Sequence, residues 1–368
     1  MKMTAIWLLT GILANVFLVQ VKADTTTNLQ TPWGPPVTVK PFERPLKPNQ
    51  VYRVPANPNA GFFFPYFFSV PAEFKSDLPI LVNPNNDGKV GVSQAQREYF
   101  ASILNEQMAY IFGRTLGVVT FSPSFPRPKL DNSIGNLYIH ALSREAILTK
   151  QPQLQRVDQQ LLSMHMDLRQ RLSSIGKNTS NTLLLYGFSA AADFVTRFAT
   201  IHPTKVKAVV AGGLGGLPIL PVSQLDGQQL TYPVGIDDFL EIFGRPFEQE
   251  NFSAIPMLFV QGDDDENDSV PEGIEMQSRE NFRSDSYSFD QSLWINEYFG
   301  TLPINRLARV RDVYQSVSPV DFAYASIANE KHTDKQIKPK AIAFFKCVLS
   351  ADTLCADKIK ASIERTQP

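Results

Sequence analysis

Short apolar runs rich in β-branched and aromatic residues alternate with longer helical patterns along this chain, and that alternation restricts its architecture more than any other feature. LPILVNP (78–84), GVVTFSP (117–123), NTLLLYG (181–187), KAVVAGG (207–213), IPMLFVQG (255–262) and VDFAYASIA (320–328) are short and almost wholly apolar. Such runs are expected as strands buried on both faces. Helical periodicity marks 93–112, 153–175 and 190–201 between them. Parallel strands need crossovers of this kind, so the fold class is α/β: a mostly parallel central sheet with helices on both faces. GFFFPYFFSVP (61–71) is read as a further strand. The segments 217–254 and 275–318 break the alternation beyond strand ends. They are expected to form a small cap insertion over the edge where ligands collect in such sheets.

A chain of 368 residues, 43% hydrophobic and 19% charged, can bury a sizeable core. With 35 basic and 36 acidic residues it has no basic stripe, and no nucleic-acid partner is expected. Lys2, an apolar run over 5–19 and the small-residue site Val21-Lys22-Ala23 read as a signal peptide cleaved after Ala23, with an uncleaved anchor as the competing reading. The mature protein is then secreted or periplasmic, and no later run is apolar for long enough to insert stably into a membrane. Residues 24–60 are proline-rich and are expected as an extended arm ahead of one large domain over 61–368. Cys347 and Cys355, eight positions apart, are the only cysteines, and in an exported chain they are expected to form a disulfide.

The chemistry is concentrated around YGFSAAADF, where the run NTLLLYG passes directly into Ser189 and a helical pattern begins at once. A serine on such a strand-to-helix turn is presented as a nucleophile, and its neighbours two before and two after must be small for strand and helix to approach. Gly187 and Ala191 meet that need, although the last glycine of G-x-S-x-G is replaced here by alanine. The competing reading is an ordinary helix cap. A serine nucleophile needs a histidine to take its proton and an acid to orient that histidine, both later in the chain. Of the four histidines, His140 and His165 precede Ser189, and His202 ends the same helical pattern. His332, just beyond the last strand run, remains as the base. The acid is expected after IPMLFVQG, in GDDDENDSV, with Asp265 the first choice and Asp268 the second. Backbone N–H groups of Ala190 and of Asn85 or Asn86 are the candidates for holding a developing oxyanion.

NPNNDGKV and the 263–274 loop imitate calcium loops but lack the required terminal acid, having Gln94 and Ile274 at the twelfth position, so no metal is expected. No cofactor is needed for the chemistry above. The sequences YIHALSRE, YGFSAAADFVTRFATIHP, VNPNNDG and GDDDENDSV resemble those of secreted bacterial α/β-hydrolases, distantly similar to the polyhydroxybutyrate depolymerase and feruloyl esterase type. The resemblance spans 61–345 and implies the α/β-hydrolase fold, with Ser189 as nucleophile, His332 as base and an aspartate of 263–268 as the orienting acid. It points to a small-molecule or polymeric ester as substrate. A peptidase or amidase using the same triad, and an inactive binding protein on the same fold, are the alternatives.

Overall fold

The structure is a computed structural model and describes residues 27–28, 38–85, 89–129, 137–280, 282–317, 322–350 and 355. The expected signal peptide and Asn86 lie outside the described residues. Twelve strands are present among them: β1 (Thr27–Asn28), β2 (Thr38–Pro41), β3 (Val51–Val54), β4 (Tyr66–Ser69), β5 (Ile80–Val82), β6 (Thr120–Pro123), β7 (Leu183–Phe188), β8 (Val206–Gly212), β9 (Gln224–Leu225), β10 (Gln228–Gln229), β11 (Met257–Gly262) and β12 (Phe322–Ile327). Ten of them form one sheet in the order β1-β2-β3-β4-β6-β5-β7-β8-β11-β12, and β9 and β10 make a separate ribbon. From β6 to β12 every neighbouring pair is parallel, whereas β4 runs antiparallel to both β3 and β6.

The strand runs are apolar throughout because both faces are covered. Ile80, Val82, Leu183, Leu185, Val209, Ala211, Met257 and Phe259 face one core with the helices Val157–Ser173 and Ala190–Ile201. The alternate residues Leu81, Leu184, Tyr186, Ala208, Val210, Leu258 and Val260 face a second core with Met108, Phe112, Phe344 and Phe345. This is the period-2 division of a pleated strand between two apolar layers. The second core is closed at one end by the disulfide Cys347–Cys355, which ties the helix Ile337–Leu349 to the buried Cys355.

Within the proline-rich region lie β1, β2 and β3, which extend the sheet. In β3, Val51, Tyr52 and Val54 are buried while Arg53 pairs with Glu98 at 2.8 Å. Prolines are excluded from central ladders but tolerated in edge strands and the turns between them, which is where this composition is used. The segment 61–71 forms less strand than expected, four residues of β4, because Phe62 bridges back to Asn57 and the chain bends at Phe64 before it. In 217–254 and 275–318 lie the ribbon and the helices Phe239–Phe243, Gln249–Ser253, Phe289–Phe299 and Pro303–Val317.

A buried ion cluster joins the two helices of the first core. Asp158 is fully buried and accepts hydrogen bonds from Arg156 at 2.6 Å and His202 at 2.8 Å. Burial pushes its carboxyl up, but the bonds and charges of Arg156 and His202 outweigh this and hold it at about 2. Because this lies below the ordinary carboxyl value, the stabilisation is present above about pH 4 and is lost as the pH falls toward 2. Asp158→Ala leaves Arg156 without its anion and His202 without its acceptor, and is expected to cost about 3 kcal/mol. Thermal unfolding of parent and variant at pH 7 and pH 3 checks this, with the gap narrowing at the lower pH; an equal gap at both would exclude it.

Candidate active site

Ser189 stands where β7 stops and the helix Ala190–Ile201 starts, with φ 59° and ψ −133°. An L-residue rarely adopts this conformation, which costs on the order of 1–3 kcal/mol and persists only where the surroundings impose it. Here the Ser189 N–H donates to the Gly212 carbonyl at 3.0 Å, and the Ser189 carbonyl accepts from Ala192 N at 2.7 Å. Gly187 is sterically required, since a Cβ there would stand 2.1 Å from the Ala191 carbonyl oxygen. Ala191 itself is buried without a positive φ, so that position demands little volume but no glycine backbone. The missing glycine of the motif therefore leaves the turn intact.

His332 lies on the loop between β12 and the helix Ile337–Leu349, and its Nδ1 meets Asp265 Oδ2 at 2.9 Å and Oδ1 at 3.1 Å. With Nδ1–H donating to the carboxylate, the neutral ring keeps Nε2 as its acceptor. Asp265 is 3% exposed and is held from two further sides: Gln261 Nε2 donates to Oδ2 at 2.9 Å and Asn267 N to Oδ1 at 3.0 Å. The two loops close because residue 262 is glycine, where a Cβ would stand 2.1 Å from the Glu330 carbonyl oxygen. Backbone bonds from Asp263 N to Ile327 O and from Asp264 N to Glu330 O, both 3.1 Å, fasten them together. The imidazole also lies against the ring of Phe188, the residue before Ser189, with centroids 4.7 Å apart.

The other sequence candidates are distributed differently. Asp268 does not face the histidine but accepts from the buried Arg306 at 2.7 Å and from Val270 N at 3.0 Å. His140 contacts the Phe125 carbonyl at 2.8 Å, and His165 is buried in its helix, where burial lowers its value to about 3. Ala190 occupies the first position of its helix, where an N–H has no intrahelical acceptor. Asn85, three residues beyond β5, is 2% exposed, and its side-chain Nδ2 has no hydrogen-bond partner among the described residues. That orphaned donor was not legible in the sequence, where asparagine beside another asparagine reads as turn material. Nor were Gln261, Asn267 and Phe188, whose contacts depend on strands meeting from distant parts of the chain.

A cleft of about 370 Å³ opens beside the histidine, lined by Asp263–Glu266, Leu302, Ile304, Lys331 and His332. One turn below Ser189, the buried Asp193 stands 3.7 Å from Arg197; burial raises its carboxyl to about 6 against the opposing charge of Arg197. Arg197 in turn donates to the Ala141 carbonyl at 2.6 Å and the Tyr287 hydroxyl at 3.0 Å, linking the elbow helix to the 275–318 insertion. Among the described residues, no group of three or more His, Cys, Asp or Glu is arranged to hold a metal ion, and no helix is long and apolar enough to cross a membrane.

No protein-family model and no curated protein matches the chain. Among solved structures, it is similar to poly(aspartic acid) hydrolase-1 from Sphingomonas sp. KT-1, at 14% identity over 76% of this chain and 92% of that one, with a TM-score of 0.49. It is also similar to a poly(3-hydroxybutyrate) depolymerase from Bordetella parapertussis, at 16% identity over 83% and 93% of the two chains, with a TM-score of 0.49. An S-formylglutathione hydrolase from Agrobacterium tumefaciens shares 12% identity over 86% and 95%, with a TM-score of 0.40. By its own strand order, its antiparallel β4 and the serine on the turn after β7, the chain has the α/β-hydrolase fold.

Proposed function

We propose that this protein is an exported serine hydrolase acting on carboxylic esters, with Ser189, His332 and Asp265 as its catalytic triad. The observation that carries this reading is the hydrogen-bonded Asp265–His332 pair lying against Phe188, next in the chain to a serine in a strained turn conformation. In the acylation step, His332 Nε2 takes the Ser189 hydroxyl proton as Oγ bonds to the ester carbonyl carbon. The Ala190 N–H and an N–H of Asn85, from backbone or side chain, hold the resulting oxyanion. Collapse breaks the ester C–O bond, and the leaving alcohol takes the proton from His332. Water then gives a proton to His332 and attacks the acyl-enzyme, releasing the carboxylic acid and restoring the serine hydroxyl. Asp265 orients the ring and stabilises the imidazolium formed in both halves. Export rests on the amino-terminal signal pattern and is supported by the disulfide Cys347–Cys355.

Fluorophosphonate labelling of the folded mature protein, with the modified peptide located by mass spectrometry, tests the reading. An adduct on Ser189 is the expected result. A folded sample that takes no label, or takes it on another residue, excludes the mechanism.

A further inference from the structure

We propose that Phe188 is a positioning residue for the reaction above: its ring is the platform that sets the plane of the His332 imidazole, so that Nε2 faces Ser189. The role rests on the hydrolase reading of this site. Both bonds to Asp265 meet the imidazole at one atom, Nδ1. They fix where that atom lies, yet leave the ring able to swing about it. His332 is on a loop and its side chain is 25% exposed, so the general packing of a core does not stop that swing. A surface against the ring face does, and Phe188 supplies one with centroids 4.7 Å apart and planes inclined by 37°.

The platform is itself tightly constrained. Phe188 is the last residue of β7 and is bonded covalently to Ser189, so platform and nucleophile move as one piece. Its ring lies over Gly213, where φ is +57° and a Cβ would stand 2.5 Å from Phe188 Cε2. Gly213 N in turn donates to the Val260 carbonyl at 3.0 Å, and the Gly212 carbonyl takes the Ser189 N–H. The glycine pair at the end of KAVVAGG therefore serves the elbow as well as the strand: one carbonyl holds the serine backbone, and the next residue leaves room for the aromatic ring. The electron-rich ring face also favours the positive charge that His332 carries at the moment the serine attacks.

The competing role is space filling, since Phe188 also packs against the second core. Leucine and tyrosine separate the two, because both fill the volume but only tyrosine keeps an aromatic face. In Phe188→Leu the maximal rate of fluorophosphonate inactivation is expected to fall about 10-fold to 100-fold with little change in inhibitor affinity, the size of effect expected for misplacing a catalytic group by about 1 Å. Phe188→Tyr is expected to stay close to the parent. A readout independent of activity is the proton spectrum of His332, assigned by its loss in His332→Gln. Its ring resonances are expected upfield in the parent and in Phe188→Tyr, through the ring current of residue 188, and unshifted in Phe188→Leu. A parent that takes no label overturns the hydrolase reading. A labelled parent with Phe188→Leu reacting equally fast, or with the His332 resonances of Phe188→Leu still as far upfield as in the parent, overturns the positioning role alone.

Discussion

Replacing His332 with alanine is expected to lower ester turnover about a millionfold while leaving the thermal unfolding temperature near that of the parent. The size follows from what the imidazole does. In the proposed mechanism it takes the serine proton during attack, returns it to the leaving alcohol, and repeats both tasks with water, so no step of that mechanism proceeds at its normal rate without it. Stability is expected to hold because the side chain is a quarter exposed and its loop is fastened by backbone bonds, Asp263 N to Ile327 O and Asp264 N to Glu330 O, that the substitution leaves in place. In that mechanism serine and histidine act as a unit, so the double variant Ser189→Ala with His332→Ala is expected to be no slower than either single one. The check is kcat on a p-nitrophenyl ester, measured with the unfolding temperature of each variant. Normal turnover in His332→Ala would sink the mechanism.

Asp265→Asn is expected to cost about 10^4-fold in kcat. The carboxylate accepts from three donors at once, His332 Nδ1, Gln261 Nε2 and Asn267 N. An amide offers one oxygen in their midst and turns an NH2 toward the others. Whichever way it sits, either a support is lost or a donor is presented to the histidine. In the latter case the ring takes the opposite tautomer, with its proton on Nε2 where the serine proton has to be received. Asp268→Asn is the matched control. Its carboxylate serves the buried Arg306, so its loss is expected in the unfolding temperature and not in catalysis. If Asp268→Asn removed activity and Asp265→Asn did not, the assignment of the acid would be reversed.

Those two aspartates show how far local sequence carries an argument. Apolar runs of strand length separated by helical patterns are enough to require a buried parallel sheet, because a run with no polar alternation has to be covered on both faces. A strand that enters a serine between glycine and alanine and leaves as a helix is likewise a local pattern, governed by how closely two backbones approach, and Ser189 was legible from it. His332 followed from position among only four histidines. GDDDENDSV is different, because which of its aspartates meets a histidine 67 residues away depends on how two loops close. That closure was decided by β11 and β12 lying side by side and by the absence of a side chain at Gly262. The insertion of β5 between β6 and β7, the recruitment of proline-rich segments as edge strands, and the contact of Phe188 with His332 were decided in the same way. Each is a meeting of surfaces far apart in the chain. Short-range patterning settles which surfaces are available, while packing of the whole settles which of them meet.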